Sequence, residues 1–145
     1  MCGITGLFAF NMVGRINLIH LEEATRCLEK RGPDHQGSWF DDVVGLGQRR
    51  LSIIDTSESA NQPMVDETGR YRIVFNGEIY NYRQLKKELI AKGISFHTES
   101  DTEVLLKSYI FWGADCLNKL NGFFAFAVYD AEDESLFIAR DRIGI

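Results

Sequence analysis

Met1-Cys2-Gly3-Ile4-Thr5-Gly6-Leu7-Phe8 opens the chain, and its second residue governs how the rest is read. Aminopeptidases remove an initiator Met when a small residue follows. Cys2 would then carry a thiol and a free α-amino group on one residue. The amine titrates at roughly 7.7–8.0 and the thiol near ~8.5, so nucleophile and general base come as one unit. Read blandly, Cys2 is a small apolar residue at the start of a strand, since Ile4 to Phe10 is apolar enough for a buried one.

A chain of 145 residues that is 45% hydrophobic is one domain with a sizeable core. No basic region precedes an apolar stretch at the start, and no apolar run approaches the roughly 20 residues that cross a bilayer. The net charge of −5, without a Lys/Arg cluster, argues against nucleic acid as partner. Cys2, Cys27 and Cys116 are spaced for neither a disulfide framework nor a zinc site, and His20, His35 and His97 are scattered. A reducing cytoplasm fits this usage; a homodimer is a separate expectation that the cysteines do not bear on. The last residues, Arg142-Ile143-Gly144-Ile145, follow a strand without a capping element, as though the domain were cut there.

Asn17 is expected to cap a helix to about Lys30, with Leu18, Leu21, Ala24 and Leu28 on one face. Val43 to Ile54 reads as one or two strands, and Asp55 to Val65 as a surface loop. Tyr71 to Phe75 reads as a strand ending in an Asn76-Gly77 turn. Asn81 is placed to cap a helix over Tyr82 to Lys92, and Ser100 with Glu103 has capping-box spacing for a helix to Gly113. Phe123 to Asp130 is apolar enough for a strand buried on both faces, with Leu136 to Ala139 its hairpin partner. Strands and helices fall in separate clusters, which favours an α+β fold.

Polar islands sit at the strand ends. Arg31-Gly32-Pro33-Asp34 reads alone as a post-helix turn. Arg49 and Arg50 lie in an otherwise apolar strand, where a guanidinium needs a carboxylate, internal or from a substrate. Asn76-Gly77-Glu78 supplies an amide NH2, a backbone N–H without a Cβ beside it, and an acid, which are parts for an oxyanion hole plus a cation contact. Asp101 reads alone as a first-turn acid.

In order, these blocks resemble the class II, N-terminal-nucleophile glutamine amidotransferase domain, in the branch at the front of glutamine-hydrolysing asparagine synthetases. The matching stretches are MCGITGLF (1–8), RGPD (31–34), RRLSIID (49–55), NQPM (61–64), FNGEIYNY (75–82), ESDTEVLL (99–106), GFFAFAVYD (122–130) and FIARDRIGI (137–145). Lys30 and Gln48 depart from the family, which often has His before RGPD and before RR. The resemblance implies a four-layer αββα sandwich, of which residues 1–145 are a part lacking the C-terminal strands and a following ATP-dependent synthetase domain.

It also implies hydrolysis of L-glutamine to glutamate and ammonia. Cys2 is then the nucleophile, and Asn76 and Gly77 hold the oxyanion. Arg50 takes the substrate α-carboxylate, Glu78 and Asp101 its ammonium, and Leu51, Ser52, Ile53 and Ile54 line the pocket. No cofactor is implied for this domain; ATP and Mg belong to the absent synthetase. Rival readings are a sugar- or polysaccharide-directed amidotransferase, a catalytically inert glutamine-binding or regulatory module, and a structural fragment.

Overall fold

A computed structural model describes residues 2–51 and 61–145. Two antiparallel sheets form its centre. The first has the order β1-β3-β2, from Gly3–Phe8, Val44–Arg50 and His35–Phe40. The second has the order β4-β5-β6-β7, from Met64–Val65, Tyr71–Ile79, Gly122–Asp130 and Ser135–Arg140.

Side-chain alternation along each strand sorts the layers. On β3, Gly45 and Gly47 face α2 (Leu21–Arg26), meeting Leu21 and Thr25, while Val44 and Leu46 point inward. There they join Val74, Ala127 and Tyr129 of the second sheet in a core between the sheets, with Ile4, Phe8 and Trp39 packed against it. The other face of the second sheet presents Ile73, Phe75, Ile79, Phe124, Phe126 and Val128 to Leu85 of α3 (Tyr82–Ala91) and to Val104, Leu105 and Leu106 of α4 (Asp101–Trp112). The result is helix, sheet, sheet, helix: the expected αββα order. Strand β6 lies inside the second sheet, covered on both faces, which accounts for its nearly continuous apolar run.

Several local expectations change. Asn11, not Asn17, caps the first helix, α1 (Met12–Asn17), by accepting from Gly14 N at 2.9 Å; the Asn17 side chain instead donates back to Val13 O. A 3-10 turn at Leu18–His20 then separates α1 from α2. Leu18 and Leu21 are buried as expected, whereas Ala24 and Leu28 are half-buried and Thr25 fills the remaining core position. β2 was not foreseen, because its alternation is masked by His35, Gln36 and Gly37.

Asn76-Gly77 is not a turn. β5 runs on to Ile79, with Asn76 opposite Ala125 and Gly77 opposite Phe124. Glycine is required there by close approach, since a Cβ on Gly77 would lie 2.2 Å from Phe123 O. Helix α3 begins where expected, but Asn81 does not cap it. Its side chain accepts from Asn121 N and donates to Lys119 O, tying the helix start to the loop before β6. Ser100 does cap α4, while the Glu103 carboxylate turns to His97 N, Thr98 N and the Thr98 hydroxyl instead of completing a capping box.

Candidate active site

The inter-sheet layer changes character along its length. Beyond Leu46 the inward positions of β3 are Gln48 and Arg50; beyond Val74 those of β5 are Asn76 and Glu78. Cys2, one residue before β1, shares the parity of Ile4 and Phe8 and so continues the same inner face. One end of the sandwich is therefore lined with polar groups from both sheets.

On the first sheet, half-buried Cys2 adjoins the end of β3. Its Sγ lies 3.4 Å from Leu51 N, which donates to it, and 3.7 Å from Leu51 O. Arg31 of the RGPD turn donates from Nε to Cys2 O at 3.1 Å, and Asp34 N donates to Arg50 O at 3.0 Å. That turn is thus a clasp holding the first residues against β3. The two neighbouring arginines diverge by strand parity. Arg49 faces outward and donates to Gly32 O at 2.8 Å and to Gln36 Oε1 at 3.1 Å, with Glu29 at 3.9 Å. Arg50 faces inward, buried, and its Nη1 donates to Asn61 Oδ1.

On the second sheet, the edge of β5 that faces away from β6 exposes alternate backbone groups. Phe75 N donates to Gln62 Oε1 at 2.6 Å, and Ile79 N donates to Asp101 Oδ2 at 3.0 Å. Alternation puts the N–H of Gly77 on the same edge, between these two engaged donors. Phe75 is gripped twice, because Gln48 Nε2 also donates to its carbonyl at 3.3 Å. Gln62 in turn donates from Nε2 to Thr102 Oγ1 at 3.1 Å. A path of hydrogen bonds, part-buried at its start and continued by the chain from Asn61 to Gln62, thereby runs from Arg50 to the strand carrying Asn76 and to the start of α4.

Asp101 is buried, and burial pushes its carboxyl up from an ordinary 3.8 to about 6; the charge on Glu78 adds to the rise, and the bond from Ile79 N opposes it. A carboxylate in that position welcomes a cation.

The structure thus gathers Cys2, Arg50 and Leu51 at the end of one sheet, and Asn76, Gly77 and Glu78 along one strand of the other, with Asp101 at the start of α4 bonded to the end of that strand. Ser52, Ile53 and Ile54 lie outside the described residues. Sequence reasoning missed Gln62, Gln48 and Thr102 as members of the site. The available signal was a glutamine beside Pro63 and a glutamine inside an apolar strand, both polar groups that folding had to bury with partners. Among the described residues no group of three or more His, Cys, Asp or Glu comes together to hold a metal ion. Nor, among them, is any helix long and apolar enough to cross a membrane.

This architecture is that of the N-terminal-nucleophile amidotransferases. Glutamine phosphoribosylpyrophosphate amidotransferase of Bacillus subtilis superposes on 99% of this chain with a TM-score of 0.72, over 38% of its own length and at 20% identity, which shows a shared fold. The chain belongs to the glutamine amidotransferase domain family, whose model matches residues 1–145. It is 46% identical to asparagine synthetase [glutamine-hydrolyzing] 3 of Bacillus subtilis and 36% identical to asparagine synthetase [glutamine-hydrolyzing] 1 of Arabidopsis thaliana, each over 100% of this chain. Amidase chry2 of Gibberella zeae is 39% identical over the same extent. The chain spans about a quarter of the length of these relatives, 24%, 24% and 23% respectively.

Proposed function

We propose that this domain hydrolyses L-glutamine to glutamate and ammonia, with Cys2, freed by removal of Met1, as nucleophile. The observation that carries the reading is positional: Cys2 ends the inner face of one sheet, and Asn76 and Gly77 end the inner face and open edge of the other. The α-amine takes the thiol proton, directly or through water, as sulphur bonds to the side-chain amide carbon. Carbonyl electrons move onto oxygen, where Asn76 Nδ2 and Gly77 N–H receive them. Collapse expels the amide nitrogen, which leaves as ammonia with the proton held by the amine. Water then attacks the thioester and releases glutamate. Arg50 pairs with the substrate α-carboxylate in a bidentate geometry that Lys lacks, while Glu78 and Asp101 face its ammonium.

Ammonia is useful only to an acceptor activated elsewhere. We assign that step to an ATP- and Mg-dependent synthetase domain or subunit, of the asparagine synthetase kind. Three widely spaced, free cysteines suit a reducing cytoplasm.

Intact mass before and after exposure to a glutamine-analogue diazoketone tests the reading. Loss of Met1 and one adduct on Cys2, suppressed by excess glutamine, together with glutamate release, are the expected results. A processed chain that neither takes the adduct nor releases glutamate would overturn it.

A further inference from the structure

Asn76 has to present its NH2, and not its oxygen, to a developing oxyanion. An amide holds the two in one plane, on either side of its C–C bond, so whatever binds Oδ1 decides where the NH2 points. Asn76 Oδ1 is buried and has no hydrogen-bond partner among the described residues. A buried acceptor left so is unfavourable and calls for a donor. Beside it lies a cavity of about 190 Å³ lined by Asn76, Ala125, Arg140, Asp141, Gly144 and neighbouring Phe residues.

Register explains why these residues meet. Asn76, Ala125 and Arg140 stand in one row across β5, β6 and β7. Val74, Ala127 and Leu136 show that this parity faces the inter-sheet side. Asn76 and Arg140 are thus two strand spacings apart, about 9.6 Å, over a methyl group that leaves the path open. A guanidinium on a three-carbon stem spans most of that distance.

Arg140 is itself exposed, and the turn after β7 packs against its guanidinium at the mouth of the cavity. Asp141 Oδ1 accepts from Ile143 N at 3.0 Å and Gly144 N at 2.7 Å, while Oδ2 accepts from Phe124 N, the residue opposite Gly77, at 3.1 Å. The fold so made lays Gly144, at φ +74°, against the Arg140 guanidinium; a Cβ there would stand 2.8 Å from Nη1.

We infer that Arg140 is a positioning residue that donates to Asn76 Oδ1, directly or through one water in the cavity, and so aims the Asn76 NH2 at the reacting carbonyl. This rests on the glutaminase reading of the site. It gives the FIARDRIGI block a task in the chemistry that its place beyond the pocket did not suggest.

Arg140→Ala is expected to lower kcat for glutamine about tenfold, a fraction of the loss of a whole oxyanion donor, with KM within about twofold. Free guanidinium at non-denaturing concentration should restore kcat by entering the enlarged cavity. Arg140→Lys should retain more kcat than Arg140→Ala. Unchanged kcat in an active wild-type background, or a loss that guanidinium does not relieve, would overturn the inference. If the unsubstituted chain shows no turnover, the glutaminase reading fails and the pairing is read separately. The Asn76 side-chain NH2 signals in a ¹⁵N spectrum, identified by their loss in Asn76→Asp, should shift in Arg140→Ala and return with guanidinium. Signals that do not move would overturn the pairing.

Discussion

The two ends of the inter-sheet layer are made by the same strands and differ by one alternation step. At one end β3 and β5 turn Leu46 and Val74 toward each other; at the other they turn Gln48, Arg50, Asn76 and Glu78 into the same layer. The strand geometry is unchanged, and only the side chains switch from packing to chemistry. The apolar end therefore supplies the rigid frame, and the polar end inherits its precision from it without a core of its own. The hydrogen bonds of Gln48 and Gln62 to Phe75 lie at the boundary and transmit that rigidity to the next residue, Asn76.

Substitutions on either side of the boundary should separate activity from stability. Cys2→Ala is expected to abolish glutamate release with the melting temperature nearly unchanged; residual turnover in the purified variant would remove Cys2 from the nucleophile's place. Leu46→Ala, only 1% exposed at the apolar end, is expected to cost about 2–5 kcal/mol in denaturant unfolding. Turnover per folded molecule should persist at temperatures where the variant stays native. A Leu46→Ala protein that is stable but inactive would mean that the two ends are not separable in this way.

Much of this division was legible in the sequence. Apolar runs marked β5 and β6, Ser100 marked the start of α4, and Cys2, Arg50, Asn76, Gly77, Glu78 and Asp101 were singled out from their blocks as candidates. The Asn76-Gly77 pair misled because its residue types suit both a tight turn and a strand pressed against its neighbour; only Phe124 and Phe123 across the ladder decide between them. Gln62 and Thr102 are 40 residues apart in sequence, and no local pattern announces a hydrogen bond between them. Asn11 and Asn17 are chemically identical caps, and the choice between them rests on which one precedes an extended backbone, here Asn11 at φ −157°.

Asp101 ties the start of α4 to the end of β5 through its bond to Ile79 N, and its response to pH has a defined sign. Its folded pKa, about 6, exceeds the ordinary 3.8, so the native state keeps a proton that the unfolded chain releases. Stability from this group is present below the unfolded pKa and declines as pH rises through that window, by about 3 kcal/mol in all. Melting curves of the wild type should lose ground between pH ~4 and ~6 relative to Asp101→Asn. The KM for glutamine should fall in the wild type as the carboxyl ionises past about 6, and lose that step in the variant. Parallel melting profiles for the two proteins would show that burial does not perturb this carboxyl.

The sharpest form of the comparison is the smallest, because it concerns two adjacent arginines. Arg49 and Arg50 share a strand and a charge, and differ in the face on which alternation places them. Arg49 is spent on Gly32 O and Gln36, so Arg49→Lys should lose about 1 kcal/mol per hydrogen bond in unfolding and leave KM alone. Arg50 turns into the layer that holds Asn76, so Arg50→Lys should raise KM by about tenfold or more, since a lysine offers one point charge in place of a planar fork, while loss of its bond to Asn61 should cost about 1 kcal/mol in unfolding. Measuring both constants for both variants makes each the control for the other. If the two variants lose stability alike with KM unmoved, Arg50 belongs to the frame and a different group must take the substrate carboxylate. If KM moves for Arg49→Lys as well, the RGPD clasp that Arg49 braces through Gly32 reaches the pocket through Arg31 and the Cys2 carbonyl, and the boundary lies one residue further out than strand parity places it.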